Sequence, residues 1–343
     1  MKFKKLAALS LSVIMSASML VGCGNKSTEE NSTQASDIKI GMVADVGGIN
    51  DESFNQSAWE GLQQAQKDFG IEIKVIESKQ ASEYLQNMES LLDEDVDMVI
   101  GVGYTMKEDI QKQAENYPDK QFVLIDETYD TIPENVTPIL FRENEAAYLT
   151  GLIAGRMTKT NNVGFIGGIQ TPVVSRFEYG YKAGVNAAND KADVNVQYAG
   201  TFSDAAKGKS IANQMYGNGT DIILSAAGGT GLGAIESAKE QNKYAIGVDR
   251  DQSDLAPENV LTSALKRVNV GVYDTVKEFV EGKLTGGQEK VYGLKEDGVG
   301  IPETTKNLVP QEIIDYVNSM IEKIKNDEIK VPSTEEEYKA MQK

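Results

Sequence analysis

From residue 37 onward, short apolar runs alternate with longer amphipathic stretches. A short apolar run is typical of a strand buried on both faces, and an apolar stripe at helical spacing is typical of a helix packed on a sheet. Strands that alternate with helices predict βαβ units and parallel sheets. The predicted strands are 38–43, 72–77, 98–102, 121–125, 163–166, 194–198, 222–225, 244–248 and 260–266.

This pattern falls into two series, which predict an α/β fold of two doubly wound lobes joined by a hinge. We expect the N-terminal lobe to contain 37–142 plus about 267–300, and the C-terminal lobe 143–266 plus about 301–343. Ligands of doubly wound sheets bind beyond the carboxyl ends of the strands. Two facing lobes would merge their crevices into one cleft, which a hinge motion could close.

Residues 1–22 have the organisation of a secretory signal, with three lysines before an apolar run at 6–20. That run is too short for a transmembrane helix, which needs about 20 apolar residues. Residues 20–23 (LVGC) resemble a bacterial lipobox, which implies lipidation of Cys23. The alternative is an ordinary signal peptide with an incidental cysteine. Residues 23–36 are polar and predict a flexible tether, so we expect a lipid-anchored protein on the extracytoplasmic face of the cell membrane.

The chain is strongly acidic, with 52 acidic and 34 basic side chains and a net charge of −18. This charge repels nucleic acid and anionic headgroups, so we expect no nucleic-acid partner and no membrane contact beyond the lipid. The glycine-rich turn predicted at 226–233 is similar to a phosphate-binding turn, but the same charge favours close backbone approach to an uncharged ligand. The acidic segment 334–338 is predicted to be a solvated tail.

The chain contains no histidine, and Cys23 is its only cysteine. These absences exclude the usual Ser-His-Asp and Cys-His nucleophilic sites and the usual zinc sites. We therefore expect no catalytic residue, no metal and no cofactor. The composition favours a binding protein over an enzyme.

Four segments resemble the basic membrane protein family, the purine-nucleoside-receptor type of ABC-transporter substrate-binding lipoprotein. They are 45–61 (DVGGINDESFNQSAWEG), 177–184 (FEYGYKAG), 247–249 (GVD) and 263–266 (SALK). The resemblance implies a type I periplasmic-binding-protein fold. It also implies a monomer that captures nucleosides without altering them and delivers them to the permease subunits of an ABC importer.

The resemblance further implies which residues contact a nucleoside. Phe54 and Phe177 would stack on the two faces of the base, and such stacking contributes about 1–3 kcal/mol per base. Carboxylates would accept charge-assisted hydrogen bonds from N–H groups of the base and from ribose hydroxyls. The implied base-edge residues are Asp45, Asn55 and Asp126, and the implied ribose residues are Gly228, Asp249 and Lys266.

Each of these residues also has an ordinary structural interpretation. A phenylalanine most often belongs to the core, and an Asp or Asn at a strand–helix junction often caps the helix. A sugar-binding receptor or a ligand sensor of the same fold would use the same cleft, because a fold alone does not determine function. A nucleoside hydrolase is disfavoured because the chain lacks a histidine acid and clustered aspartates. The two-sided aromatic clamp is what favours a base over a sugar.

Overall fold

The computed structural model describes residues 37–342, so the predicted signal, the predicted tether and Cys23 lie outside the described residues. Twelve strands and ten α-helices are present in the described part of the chain. The strands are β1 (Lys39–Ala44), β2 (Glu72–Glu77), β3 (Met98–Val102), β4 (Gln121–Ile125), β5 (Val136–Phe141), β6 (Asn162–Gly167), β7 (Asp193–Tyr198), β8 (Ile222–Ala226), β9 (Tyr244–Asp249), β10 (Val260–Lys266), β11 (Lys290–Tyr292) and β12 (Val299–Gly300). The helices are α1 (Phe54–Phe69), α2 (Tyr84–Asp93), α3 (Lys107–Asn116), α4 (Glu143–Met157), α5 (Pro172–Ala188), α6 (Ala205–Gly217), α7 (Gly229–Gln241), α8 (Val268–Val280), α9 (Gln311–Lys325) and α10 (Glu335–Met341).

The strands form two six-stranded sheets, one for each lobe, as the strand–helix pattern predicts. The first sheet has the order β11-β5-β4-β3-β1-β2 and is parallel throughout. The second has the order β12-β10-β9-β8-β6-β7 and is parallel except for β12, which pairs antiparallel with β10. Every residue of β3, β8 and β10 is buried, which explains the continuous apolar run of β3 and the three apolar residues that begin β8.

The chain crosses between the two sheets three times. The first crossing follows β5 at Arg142, the second follows β10 at Arg267, and the third lies in 293–298 between β11 and β12. The chain therefore passes to the second sheet a few residues before the expected lobe boundary at about 300. Helix α8 follows the second crossing and packs on α1 of the first lobe. The assignment of the remaining segments to lobes stays a prediction.

Helices α4 and α5 pack against each other unusually closely. A Cβ added at Gly184 would lie 2.1 Å from the carbonyl oxygen of Tyr148, and one added at Gly151 would lie 2.4 Å from that of Tyr181. Side-chain atoms do not tolerate such distances, so the two helices can cross here only because both positions are glycine. Together with the packing of α4 on β10, α9 and β12, this contact leaves nearly all of α4 buried.

Two predicted segments differ in the structure. Most of the glycine-rich segment 226–233 is the first turn of α7 and not a turn between elements. The predicted tail at 334–338 is largely helical, and the ring of Tyr338 lies 6.1 Å from that of Tyr179 on α5. Across residues 37–342, no helix combines the length and the apolar character needed to cross a bilayer.

Candidate ligand-binding site

A cleft with an empty volume of about 660 Å³ lies between the carboxyl ends of the strands of the two sheets. Its walls come from the residues that follow β1, β3 and β4 in one lobe and from β8, β9, β10 and the start of α5 in the other. The structure brings all eight residues predicted to contact a ligand to this cleft. They are Asp45, Phe54, Asn55, Asp126, Phe177, Gly228, Asp249 and Lys266.

Aromatic side chains reach the cleft from both lobes. Phe54 is the first residue of α1 and is partly buried, whereas Phe177 lies in the second turn of α5 and is 3% exposed. A third ring, Phe202, was not identified from the sequence, although its position in a polar loop sets it apart from core phenylalanines. It packs on Gly168, where an added Cβ would lie 2.2 Å from Phe202 Cε1. The cleft thus offers flat apolar surfaces on opposite walls.

The carboxylate of Asp45 is held in place by neighbouring donors. Its Oδ1 accepts hydrogen bonds from the Gly47 N–H (2.8 Å) and from Asn55 Nδ2 (2.8 Å), and its Oδ2 faces Gly103. The second Nδ2 proton of Asn55 goes to Asp51 Oδ2 (3.0 Å), and Asn55 Oδ1 accepts from the Asp45 N–H (3.0 Å). Both amide protons of Asn55 are therefore used within the protein and orient Asp45 and Asp51. The predicted contact of Asn55 with a base edge stays a prediction and would use Oδ1, which can accept a second hydrogen bond.

Asp51 organises the loop that precedes α1, a role that the sequence analysis missed. Its two carboxylate oxygens accept from the backbone N–H groups of Ser53 (2.9 Å), Asn55 (2.9 Å) and Gln56 (3.1 Å). Ser53 occupies the N-cap position but makes no capping bond through its own side chain. A carboxylate near a helix N-terminus interacts favourably with the unpaired N–H groups and the helix dipole. Asp51 therefore fixes the start of α1 and, with it, the ring of Phe54.

Lys266 lies at the centre of a buried charge network beside the first and second crossings. Its ammonium bonds to the carboxylate of Asp126 and lies 3.4 Å from Glu143 Oε1, and Arg176 donates to Glu143 through Nε (2.7 Å) and Nη2 (3.3 Å). Burial alone would lower the pKa of Lys266, but Asp126, Glu143 and Asp249 outweigh it and raise that pKa, so the ammonium stays charged. The sequence analysis missed Glu143 and Arg176, which complete a network of two anions and two cations.

Two carboxylates in the cleft retain capacity to accept hydrogen bonds. Oδ1 of Asp126 is buried and has no hydrogen-bond partner among residues 37–342. Asp249 accepts from the hydroxyl of Ser53 in the other lobe, and burial raises its pKa to about 7, with the negative charges of Asp51 and Asp126 adding to the effect. A buried acceptor without a donor is costly, so Oδ1 of Asp126 favours a ligand that brings an N–H or O–H group.

Comparison with known proteins identifies the family. The family described as "ABC transporter substrate-binding protein PnrA-like" matches residues 38–335. The chain belongs to this family. It is a substrate-binding protein of an ABC transporter and not an enzyme, and the resemblance to the basic membrane protein family is confirmed. Within residues 37–342, no group of three or more acidic side chains could hold a metal ion.

Several individual relatives support this assignment. The chain is 39% identical to the "CD4+ T-cell-stimulating antigen" of Listeria innocua, with 96% of this chain and 99% of that protein aligned. It is 37% identical to the "ABC transporter nucleoside-binding protein BmpA" of Lactococcus lactis over the same shares. Among solved structures, an ABC-transporter solute-binding protein of Aeropyrum pernix superposes with a TM-score of 0.81 and 27% identity, covering 89% of this chain and 96% of that one. The periplasmic-binding-protein fold predicted from the sequence is thereby confirmed.

Proposed function

We propose that this PnrA-like protein captures nucleosides, purine nucleosides above all, and hands them to the permease subunits of an ABC importer. The observation that carries the proposal is the pairing of Phe54 and Phe177, which come from opposite lobes to one cleft, with the buried Oδ1 of Asp126, an acceptor that has no donor among the described residues. The nucleoside-binding relative from Lactococcus lactis supports the same ligand class.

The two rings suit a flat heterocycle. An aromatic base has two faces, and each face that stacks on an aromatic side chain contributes about 1–3 kcal/mol. Because the rings belong to different lobes, a base between them would hold the lobes together as the hinge closes.

The polar groups suit the edge of a purine and a ribose. Asp45 Oδ2 and Asp126 Oδ1 are acceptors on the wall of the first lobe, and neighbouring N–H groups of a purine could donate to them. Asp249 and Lys266 would accept from and donate to ribose hydroxyls. Gly228 has a φ of +53° at the N-cap of α7, a conformation that favours glycine, and a Cβ there would lie 3.2 Å from the carbonyl oxygen of Phe202, so we expect Gly228 to approach the sugar through its backbone.

The electrostatics of the cleft disfavour phosphorylated ligands. Four aspartates line it (Asp45, Asp51, Asp126 and Asp249), and Lys266, already paired with Asp126, is the one cationic side chain among the described lining residues. A phosphate dianion would meet like charges in a site of low dielectric. We therefore infer that nucleosides are preferred to nucleotides.

Native mass spectrometry of the protein, purified without refolding, tests the proposed ligand class. We expect a retained adduct with the mass of a nucleoside, and we expect the adduct to be lost in the Phe177→Ala variant. An adduct with the mass of a free sugar, retained in that variant, would instead establish a sugar receptor of the same fold.

We further propose that Cys23 is lipidated and holds the protein at the extracytoplasmic face of the cell membrane, as a monomer. The support is the similarity of 20–23 to a lipobox, together with the signal-like pattern before it. The Cys23→Ala variant should move from the detergent phase to the aqueous phase in a Triton X-114 partition. Equal partition of the two proteins would exclude the lipid anchor.

A further inference from the structure

The two lobes also contact each other at a polar cluster outside the ligand cleft. Arg250 follows β9 of the second sheet, and it donates from Nη1 to Glu52 Oε2 and from Nη2 to Glu60 Oε1, each at 2.8 Å. Gln252 Nε2 donates to the carbonyl oxygen of Glu52, also at 2.8 Å. We call these four residues (Glu52, Glu60, Arg250 and Gln252) the clasp. None of them lines the ligand cleft.

The clasp joins elements that are far apart in sequence and belong to different sheets. Glu52 lies in the loop before α1 and Glu60 lies on α1, in the first lobe, whereas Arg250 and Gln252 follow β9 in the second. The partners are separated by 190 to 200 residues. A hinge opening that separates the cleft walls would also separate these partners, so the clasp can form only in the closed arrangement.

Both halves of the clasp are held in position before they meet. Glu52 has a φ of +52°, a conformation that a residue with a side chain rarely adopts, and its N–H donates to Gln56 Oε1 (3.2 Å). Gln56 Nε2 donates in turn to Glu60 Oε1 (3.2 Å). On the other side, Gln252 N–H donates to Ser263 Oγ (3.1 Å), and Gln252 Oε1 accepts from the Val248 N–H (3.0 Å). Side chains ordered in this way lose little further entropy when they pair.

We propose that the clasp sets the fraction of the protein that is closed. Although the clasp does not touch the ligand, it thereby sets how long a ligand stays bound. The ligand part of this inference rests on the proposed function, whereas the effect on closure does not. Individual ion pairs with partly exposed partners are weak. Arg250 makes two at once, and its planar guanidinium fits two carboxylates better than an ammonium would. Stabilising the closed state increases the fraction of protein in that state. The apparent affinity of a ligand that binds the closed state increases by the same factor.

The test compares Arg250→Met with Lys209→Met. Lys209 also pairs with two glutamates, Glu236 (3.0 Å) and Glu240 (2.9 Å), and its side chain is 28% exposed against 24% for Arg250. Its partners lie within the second lobe, so removing it breaks two similar ion pairs without affecting the contact between lobes. Methionine keeps an apolar stem in both variants.

The first measurement is amide hydrogen exchange of the ligand-free protein, read at 103–106 and 171–174. These segments line the cleft on its two sides and contain no residue of the clasp. We expect about three- to tenfold faster exchange at both segments in Arg250→Met, because a larger fraction is open, and no change in Lys209→Met. Unchanged exchange in Arg250→Met, or equal acceleration in both variants, would overturn the proposal.

The second measurement is the dissociation rate of adenosine. We expect the dissociation rate to be about five- to tenfold higher in Arg250→Met, with an association rate within about twofold of the native value.

Raising the salt concentration should speed dissociation from the native protein and have little effect on Arg250→Met, because partly exposed charges are screened. The Glu60→Gln variant should have a smaller effect that is not additive with Arg250→Met. Additive effects, or equal salt dependence in both proteins, would contradict the clasp. If neither adenosine nor any other nucleoside binds the native protein, the proposed function fails while the exchange measurement still decides on the clasp.

Discussion

Phe54 and Phe69 are the first and last residues of α1. Phe54 lines the ligand cleft, whereas Phe69 stacks on Tyr273 of α8. Leucine at either position would keep most of the apolar volume but remove the aromatic face. We expect Phe54→Leu to weaken purine-nucleoside binding about tenfold, because one stacking contact is lost. Phe69→Leu should change affinity less than about twofold. Equal affinity of the native protein and Phe54→Leu would remove the base clamp from the proposal.

Asp249 predicts a pH dependence of stability. Its pKa is raised from 3.8 to about 7 in the folded protein, mainly by burial. Between those values the folded protein holds a proton that the unfolded chain has released, so the free energy of unfolding falls as the pH rises through about 7. In urea denaturation of the ligand-free protein, we expect this fall between pH 5 and pH 8 to be roughly 2 kcal/mol larger in the native protein than in Asp249→Asn. Parallel pH profiles of the two proteins would show that Asp249 does not titrate in this range.

The residues of the cleft were predictable where their position along the chain carries a signal. Asp45 and Asp126 directly follow a strand and Asp249 is the last residue of one, so a doubly wound sheet places them together. Glu143 and Arg176 give no such signal, because they lie within or at the start of helices, where charged residues are common. Their role depends on the approach of two helices that the sequence pattern does not position.

Among the elements, the contact between α1 and α8 makes a sharp prediction. A Cβ added at Gly61 of α1 would lie 2.3 Å from the carbonyl oxygen of Asn269, so Gly61→Ala must push the two helices apart. We expect a loss of about 1–3 kcal/mol in the free energy of unfolding, measured by chemical denaturation.

Gly217, at the end of α6, provides the matched control for this substitution. An added Cβ there would meet no atom within 4 Å, so Gly217→Ala should be neutral or slightly stabilising because alanine is the better helix former. If Gly61→Ala were as stable as Gly217→Ala, the close contact between α1 and α8 would be wrong.

The elements that the sequence did not predict share a cause. Strand β5 contains Pro138, which is unusual inside a strand, and β11 and β12 are only three and two residues long. The first residues of helix α7 were taken for a turn because of their glycines. Two of them are required by packing: a Cβ at Gly231 would lie 2.6 Å from Ser225 Oγ, and one at Gly233 would lie 1.8 Å from the carbonyl oxygen of Ala205. Tertiary packing thus overrode local helix propensity, which a single sequence does not show.

At the scale of the whole molecule, polar contacts of three kinds join the two lobes. Lys266 pairs with Asp126 near the crossings, Ser53 donates to Asp249 within the cleft, and the clasp lies outside it. Each contact links residues more than 100 positions apart in the sequence. The alternation of strands and helices therefore predicted two lobes and a cleft, but it did not predict these hydrogen bonds and ion pairs between the lobes. In the described structure, charge pairs and a hydroxyl–carboxylate hydrogen bond therefore hold the two lobes against each other.

Isothermal titration calorimetry on protein that has been freed of any co-purified ligand tests the central claim most directly. The claim is that rings from both lobes hold a purine base while carboxylates of the cleft accept hydrogen bonds from its edge and its ribose. Adenosine, guanosine or inosine should give saturable heat at one site per chain, and ribose or adenosine monophosphate should give none. Heat with ribose and none with any nucleoside would contradict it.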